Sequence, residues 1–568
     1  MARKIILKIF LVSCLLLLVS VSAAQAQSVI FRVDQGFDQY NRTQLTATLQ
    51  LEGQKAQYYI EDTYWNGQSG TSRAQILSTL DDVSSSFDGQ IYPAVTGVFG
   101  SEWNPGIDGS SKITILISDL KNGIGGYFRD NDEHPKTVVA DSNEREMFYM
   151  NTDFLGASRQ LKAFAAHEFQ HLINYNQKNR LRNANEEVWL NELASEIAPS
   201  IAGLNQPYSG SNLQSRVSTF LDEASNPLTR WSGQSGDYGI VSVFGNYLRD
   251  HYGDTFFTNI TQNSLTGFNA INNSLALQGK IETYPEVFRN WAVAVLLNNC
   301  NVLPANTFCY LNPDLGYDNL HIQFDGGVES GSSFTNTYSS YPWEGRWYSY
   351  ERDIQPKPDD HIFTFTFNNN SNSEFTLPYV VYSTDGAPKV YYLEIESGRG
   401  KFYVENFGYT VSKVVAMPIN AGLNSDFQSS FTVTATTTTT VPADITESTH
   451  ATEFEPALPE GALVREYGRA EVYIIKNGYK RWIPAPQIID MYGHLRWEDI
   501  ITVPAGTLGD YQISDVIRYA NDPRVYRITN NGTVKTWITS EAEFTSLGYK
   551  FDMVYEINEK EFNFYPTI

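Results

Sequence analysis

The sequence predicts a multi-domain α+β protein. Its 568 residues exceed the usual size of one domain, and 42% hydrophobic and 14% aromatic residues supply sizeable cores. Three patterns divide the chain: mixed strand and helix periodicity at 27–325, alternating aromatic and Ser/Thr residues at 326–435, and an internal repeat at 456–568. We therefore expect an α+β domain, then a β-sandwich, then two small α+β repeat modules.

Residues 1–26 predict a secretory signal peptide. A charged start precedes an apolar run over residues 9–21, and residues 24–26 form a small-residue cleavage site. The apolar run is too short for a membrane span and lies too close to the cleavage site. The mature chain is expected to begin near Gln27.

The charge balance restricts the partners of the exported chain. A formal net charge of −23 at pH 7 argues against nucleic acid and against anionic membrane surfaces. No integral membrane segment is expected in the mature chain. We expect a protein that is secreted or held at the cell surface.

Residues 161–196 carry the side chains of a metal site. His167 and His171 lie four residues apart in a segment rich in Ala, Leu and Phe, which predicts a helix with both imidazoles on one face. Glu192 follows on a second predicted helix. Two imidazoles, a carboxylate and an open position for water are the ligands of catalytic zinc, and Glu168 can take a proton from that water. The alternative, a surface helix with two unrelated histidines, is disfavoured by the apolar flanks.

The motif His167–His171 followed by Trp189–Glu196 resembles the gluzincins, which are zinc metallopeptidases with a glutamate third ligand. Within that group it is similar to the hyicolysin-like secreted bacterial neutral proteases. The stretch Ile91–Tyr149 takes part in the resemblance, which covers roughly residues 28–253. The resemblance implies a zincin-type fold for the 27–325 domain, Zn²⁺ as cofactor, and endopeptidase activity on a protein or peptide substrate.

The resemblance also implies roles for individual residues. Glu192 is the third zinc ligand, and Glu168 is the general base. Glu196, one turn further on, matches a carboxylate that orients a ligating imidazole; the alternative for this residue is a solvated helix face. Tyr238 and His251 are the candidates for the donor that faces the oxyanion of the tetrahedral intermediate, and each can equally be a packed side chain.

Two further features precede the helix of the metal site. By resemblance, Gly125–Phe128 is an edge strand, and an unpaired edge beside a metal can accept an extended peptide as one more strand. Asp108 and the run Asp130–Asp132 supply clustered oxygens that suit Ca²⁺. The alternative for these Asp-rich loops is a solvated surface.

Periodicity predicts the other elements of this domain. Alternation predicts strands within 48–62, and β-branched or aromatic runs predict strands at Lys112–Ile117 and Met147–Met150. Helical patterns lie at 72–99, 212–225 and 237–252.

Two cysteines remain after removal of the signal peptide, Cys300 and Cys309. In an oxidising compartment they are expected to close a small loop through a disulfide. The alternative is a pair of buried free thiols.

The C-terminal half changes composition twice. Over 326–435, aromatic and β-branched runs separated by turn signals predict an antiparallel β-sandwich. Residues 436–455 are rich in Thr and lack an apolar period, which predicts an extended linker.

Residues 456–514 and 515–568 repeat with a period of about 54 residues. Each unit predicts a β-hairpin with a tight Asn-Gly turn, a short helix and a further strand. Exposed aromatic side chains of such modules can contact glycan or a cell wall. Trp482 and Trp537 occupy equivalent positions and are expected to lie in the core instead.

A second function from a different class is an exported surface adhesion protein. In that hypothesis the sandwich and the repeats bind, and the zincin-type domain is a non-catalytic scaffold. The intact HExxH motif with its carboxylate partner disfavours it, because a scaffold has no use for a base beside two ligands.

Overall fold

A computed structural model describes residues 28–568, with gaps at 281, 303–305, 323–326, 329–332, 385, 424–425, 443–450, 454–457, 467–468, 504–507, 509–510, 521 and 531. The predicted signal peptide lies outside the described residues. The chain forms two compact units. The first comprises the described residues up to Asp88 with Pro105–Leu161, and the second comprises Gly89–Asn104 with Lys162–Ile568. The predicted 27–325 domain is therefore divided between the two units.

The first unit is built on one six-stranded sheet. Its strands are β1 (Ser28–Arg32), β2 (Gln44–Glu52), β3 (Ala56–Glu61), β4 (Ile113–Ser118), β5 (Gly126–Phe128) and β6 (Met147–Asn151). They are ordered β1-β2-β3-β4-β6-β5. The β4 run ITILIS is buried along its whole length, because it pairs in parallel with β3 and β6 on its two sides. Strand β5 lies at the edge of the sheet, paired only with β6.

Two helices complete the first unit, α1 (Asp62–Gly67) and α2 (Gly70–Ser86). Helix α2 begins at a Ser69 side chain that accepts a hydrogen bond from the Ser72 amide. It buries Ile76, Leu80 and Val83, which share one face at helical spacing.

The acidic residues of this unit do not support the expected Ca²⁺ site. Asp132 is fully buried, and its carboxylate accepts hydrogen bonds from the Arg129 guanidinium at 2.6 Å, the Tyr149 hydroxyl at 2.7 Å and the Asn143 side chain at 2.8 Å. The Asp108 carboxylate accepts one from the Ser110 amide at 2.7 Å. Because the Asp132 oxygens are occupied by donors, they are not available to a hard cation.

The helical part of the second unit surrounds the predicted metal residues. Its helices are α3 (Tyr92–Phe99), α4 (Ser158–Asn174), α5 (Val188–Ile201), α6 (Asn212–Asp222), α7 (Ser235–Thr261), α8 (Gly267–Leu277) and α9 (Tyr284–Leu297). Helix α7 is bent at Gly253, whose φ of 68° is not helical. Among the described residues, no helix has the length and apolar character that a membrane span requires.

Two glycines let α7 approach its neighbours closely. A Cβ at Gly239 would lie 2.9 Å from the backbone nitrogen of Phe220 in α6. A Cβ at Gly245 would lie 2.8 Å from the Ile197 side chain in α5. At Gly239 the neighbouring backbone leaves no room for a side chain, and at Gly245 a Cβ would have to displace the Ile197 side chain, so glycine suits the close packing of α7 at both positions.

The described residues that follow form the strands β7 (Gly327–Val328), β8 (Phe334–Ser340), β9 (Tyr348–Glu351), β10 (Ile362–Asn369), β11 (Phe375–Ser383), β12 (Lys389–Leu393), β13 (Arg399–Val404), β14 (Val411–Ala416), β15 (Ile419–Asn420), β16 (Ser429–Thr438) and β17 (Ala451–Glu453). They form a sheet β13-β10-β16-β8 and a sheet β17-β12-β11-β14-β9-β7, with β15 paired to β11. Phe363, Phe365 and Phe367 alternate along β10 and point into one aromatic core with side chains of the second sheet.

The predicted linker differs from the structure at both ends. Strand β16 continues to Thr438, and β17 pairs with β12. The β-branched threonines at 436–438 favour β-structure beside a neighbouring strand, and residues 436–438 and Ala451–Glu453 join the sandwich sheets.

The cysteines of the second unit are joined. A disulfide links Cys300 and Cys309, so the structure agrees with the bonded pair rather than with free thiols. The Cys309 carbonyl accepts a hydrogen bond from His251.

The C-terminal region contains two small sheets. Their elements are β18 (Leu463–Glu466), β19 (Val472–Lys476), β20 (Tyr479–Ile483), α10 (Gln487–Asp490), β21 (Ile501–Val503), β22 (Gln512–Ile513), β23 (Val516–Tyr519), β24 (Val525–Thr529), β25 (Val534–Trp537), α11 (Glu541–Ser546), β26 (Tyr555–Ile557) and α12 (Glu559–Phe564). The sheet orders are β21-β18-β19-β20-β22 and β25-β24-β23-β26. Asn477 and Gly478 both have positive φ in the turn between β19 and β20.

One expectation about this region is wrong. Trp537 is 45% exposed rather than buried in the core. It is the last residue of β25, an edge strand that pairs with β24 and forms an isolated bridge from Lys535 to Thr567, and these backbone pairings leave the Trp537 ring partly exposed. Trp482 is half-buried.

Candidate metal centre

Three donor atoms from two helices converge in the second unit. The Nε2 atoms of His167 and His171 on α4 lie 3.2 Å apart. Oε2 of Glu192 on α5 lies 3.3 Å from the first and 3.6 Å from the second. Within the described part of the chain, no other three His, Cys, Asp or Glu side chains gather closely enough to hold a metal ion.

The spacing of these donors fits zinc. Tetrahedral bonds of about 2.0–2.1 Å place ligand atoms about 3.3 Å apart, which is close to the observed distances. Calcium requires six to eight oxygen ligands at longer distances, and two imidazoles do not meet that requirement. In addition, Glu192 Oε2 is buried without a hydrogen bond of good geometry from any described residue. A buried acceptor in this state calls for a cation.

The electrostatics of the three donors point the same way. Burial lowers the pKa of His167, but the neighbouring carboxylates of Glu192 and Glu196 outweigh burial and raise the pKa to about 10. Burial raises the pKa of Glu192, and the two imidazoles lower it far below its usual range. The pocket thus stabilises positive charge among the donors, which a divalent ion supplies.

Glu196 supports the outer nitrogen of His167. Its Oε1 lies 3.3 Å from His167 Nδ1, and its side chain is fully buried. Arg216 on α6 donates to both carboxylate oxygens, at 2.7 and 2.9 Å. This placement does not agree with a solvated helix face. A carboxylate held in this way fixes the imidazole orientation.

Arg216 was not found from the sequence. It lies twenty residues after Glu196 on a different helix. The bidentate contact depends on how α5 and α6 both pack against α7, and no local spacing encodes that packing.

We expect the substitution Arg216→Met to destabilise the chain by about 3 kcal/mol and to weaken zinc binding. The reason is that Glu196 becomes a buried carboxylate without a counter-charge. Chemical denaturation and zinc analysis measure the two effects. The control is Arg249→Met, which breaks a more exposed pair with Asp254 and is expected to cost less than about 1 kcal/mol. Equal effects of the two variants would contradict this role.

The outer nitrogen of His171 has different neighbours. Nδ1 lies 3.3 Å from Asn191 Oδ1 and 3.1 Å from Ser195 Oγ. The Ser195 hydroxyl donates to Gln170. Asn191 can therefore accept a hydrogen bond from the Nδ1–H group of His171, which keeps the proton on Nδ1 and leaves Nε2 free to bind a cation. Both neighbours flank Glu192 in the sequence motif, so the spacing of α5 could have identified them.

Glu168 lies on α4 between the two imidazoles in sequence and is 5% exposed. Burial raises the pKa of its carboxyl, and the nearby imidazoles oppose that shift. A carboxylate in such an environment holds a proton more readily than one in water, which suits a group that accepts and returns a proton.

Tyr238 lies in the first turn of α7, close to the three donor side chains. Its ring centre lies 6.4 Å from that of His167, and the Arg216 guanidinium lies 4.8 Å above the ring. Burial, together with the charge of Glu192, raises the pKa of the Tyr238 hydroxyl, which therefore stays protonated and can donate. Trp231 packs edge-on against Tyr238 at 4.9 Å.

His251 takes a different place. Its Nε2 lies 3.1 Å from the Cys309 carbonyl and its ring packs on Tyr247. Among the described residues it makes no contact with the three donors. Burial lowers the pKa of His251 to about 4.

This shift predicts a pH dependence of stability. His251 stays neutral in the folded chain while the unfolded chain takes up a proton below about pH 6.5, so the free energy of unfolding is expected to fall between about pH 6.5 and 4, by no more than about 3 kcal/mol. Denaturation at a series of pH values measures the slope. His251→Gln is expected to reduce it, and the exposed His321→Gln is expected to leave it unchanged.

An HExxH helix with a glutamate from the next helix defines a site of the zinc metallopeptidase class. The chain is similar to the neutral metalloprotease ShpI of Staphylococcus hyicus, with 26% identity over 256 residues that cover 40% of this chain and 53% of the relative. The predicted resemblance to neutral metalloproteases is therefore confirmed. The chain spans about half the length of the curated relative that it matches.

No protein-family model matches the chain. Among solved structures, it is similar to the pre-peptidase C-terminal domain of a Bacillus anthracis collagenase, with 8% identity, a TM-score of 0.15, and coverage of 20% of this chain and 98% of that chain. PliG of Aeromonas hydrophila, a periplasmic inhibitor of g-type lysozyme, gives 10% identity, a TM-score of 0.14, and coverage of 20% and 95%. Neither TM-score supports an inference about this chain.

Proposed function

We propose that the chain is an exported zinc-dependent endopeptidase. The observation that carries the proposal is the convergence of His167, His171 and Glu192 with distances that fit tetrahedral zinc. The similarity to a neutral metalloprotease supports the same reaction class. Export is inferred from the charged start, apolar run and cleavage site of residues 1–26.

The three donors would hold the metal, and Glu196 and Asn191 would orient the imidazoles from outside. Zinc in this position supplies Lewis-acid polarisation of the scissile carbonyl and lowers the pKa of water.

The remaining steps belong to side chains of this chain. Glu168 accepts a proton from the attacking water and delivers it to the leaving amine, because its buried carboxylate is poised to carry a proton. Tyr238 donates its hydroxyl proton in a hydrogen bond to the developing oxyanion. Arg216 keeps Glu196 ionised, so that His167 is held in one orientation.

The test is hydrolysis of casein by the purified mature chain with zinc analysis. We expect about one zinc per chain, loss of hydrolysis on treatment with a zinc chelator, and recovery when zinc is added back. Hydrolysis that is unaffected by chelation contradicts the proposal. A protein that lacks zinc, does not hydrolyse casein and still binds cells or glycans would favour the surface adhesion function instead.

A further inference from the structure

Trp343 has an unusual backbone conformation. Its φ is 57°, in the left-handed region that bulky side chains rarely adopt, and its side chain is 1% exposed. Such a conformation persists only where surrounding contacts enforce it, and it often marks a functional position.

The contacts of Trp343 extend in three directions. Its amide donates to the Asn420 carbonyl in β15 of the sandwich at 2.9 Å. Its carbonyl accepts from the Leu228 amide, also at 2.9 Å. Its ring lies among aromatic side chains of the helical core, with centroid distances of 4.6–5.5 Å to Phe268, Tyr284 and Phe288. Trp343 therefore joins the sandwich, the helices and the segment around Leu228.

That segment, residues 226–234, is here named the site loop. Pro227 forms a β-bridge with Glu344, and the Arg230 guanidinium lies 4.5 Å over the Tyr341 ring. Residues 341–344, just before β9 of the sandwich, thus contact the site loop by backbone and side chain.

The site loop is also tied to the start of α7. The buried Asp237 carboxylate accepts hydrogen bonds from the Asn226 side chain at 2.8 Å, the Ser232 amide at 2.7 Å and the Gln234 amide at 3.2 Å. The loop carries Trp231, whose ring packs on Tyr238. Tyr238 in turn lies next to His167. A continuous series of contacts therefore runs from the sandwich to the metal centre.

We propose that the β-sandwich is a positioning element of the metal centre: residues 341–344 hold the site loop, and the site loop holds Trp231 and Tyr238 beside the donors. A separately folded binding module would make few contacts with the helices. Here, in contrast, Trp343 of the sandwich is held in left-handed conformation with its ring inside the helical core. The sandwich accordingly belongs to the same structural unit as the metal centre. The activity part of this proposal rests on the proposed peptidase function.

The test uses full-length, zinc-loaded protein and two substitutions. Tyr341→Leu removes a half-buried ring under the exposed Arg230 and keeps an apolar side chain in its place, so that the fold is expected to be kept. It is expected to lower kcat/KM by about threefold, through kcat, with zinc content unchanged. Trp343→Ala removes the central side chain and is expected to lower kcat/KM by at least about tenfold. Tyr341→Phe keeps a ring for the cation and is expected to restore activity. Tyr382→Leu is the matched control, because Lys413 lies over Tyr382 at 4.5 Å on a different part of the sandwich.

Hydrogen exchange of the site loop supplies a readout that does not depend on activity. The Leu228, Ser232 and Gln234 amides are expected to exchange about threefold faster in Tyr341→Leu and unchanged in Tyr382→Leu. Unchanged exchange and unchanged kcat/KM in Tyr341→Leu overturn the proposal, whether or not Trp343→Ala folds. If the unaltered protein hydrolyses no peptide, the peptidase function fails, and exchange in the site loop alone decides whether the sandwich positions it.

Discussion

Replacement of Glu168 by glutamine is expected to lower kcat/KM by about a thousandfold while zinc stays bound. Glutamine has the same shape but accepts no proton at neutral pH, so the attacking water loses its base and the leaving amine loses its acid. None of the three donor atoms is altered, and the metal is therefore retained. Peptide hydrolysis and zinc analysis of the same preparation measure both halves of the prediction.

The control for this variant is Glu541→Gln, an exposed change of the same kind in α11. It is expected to hydrolyse casein at the normal rate. Near-normal hydrolysis by Glu168→Gln would exclude Glu168 as the base, and loss of zinc from this variant would show that the residue holds the site together instead.

Replacement of His171 by alanine is expected to remove the metal itself. The substitution deletes one of three donors and leaves His167 and Glu192 in a pocket with an unfilled position. Zinc is expected to fall from about one per chain to near zero at micromolar protein, and hydrolysis is expected to fall below detection.

The exposed His321→Ala serves as the control, since it removes an imidazole that takes no part in the donor set. Full zinc content in His171→Ala, measured after dialysis against metal-free buffer, is the result that contradicts the assignment. Circular dichroism of both variants separates loss of zinc from loss of fold.

The sequence predicts those residues of the metal centre that lie at a short, regular spacing within one helix. His167 and His171 share a helical face, and a helix of apolar composition forces both imidazoles to one side. Glu192 and Glu196 were named through the family resemblance, and the structure places both beside His167.

Residues that depend on packing between helices were missed. Arg216 reaches Glu196 because α5 and α6 both pack against α7, and the site loop is held by residues more than a hundred positions later. The change in composition predicts a domain boundary at 325/326. Composition does not show that the rings of Trp343 and Trp347, which follow this boundary, enter the helical core, where the Trp347 indole donates to the Ala292 carbonyl. Hydrophobic alternation shows where a strand lies but does not show which module buries its flanking aromatic residues.

The structure does not support the expected Ca²⁺ site, for a related reason. An Asp-rich loop exposes oxygens only if no donor is nearby, and spacing along the chain does not show that Arg129 and Tyr149 occupy Asp132. For Trp537, the equivalence to Trp482 suggested a shared environment, but the two strands differ in position: β20 lies between β19 and β22, whereas β25 is an edge strand paired with β24.

The close approach of α7 at Gly239 and Gly245 restricts which residues homologous chains with this metal centre can carry at these two positions. A methyl group at Gly239 would meet the backbone of α6, which carries Arg216, and one at Gly245 would meet the Ile197 and Leu193 side chains of α5, which carries Glu192. Variation at either position is therefore expected to disturb the packing around the metal centre although neither residue is a ligand. We therefore expect zinc affinity to depend on how closely α7 packs against α5 and α6. Homologous chains that bind zinc at this centre are expected to keep these two positions free of side chains, whatever happens on the solvent faces of the same helices.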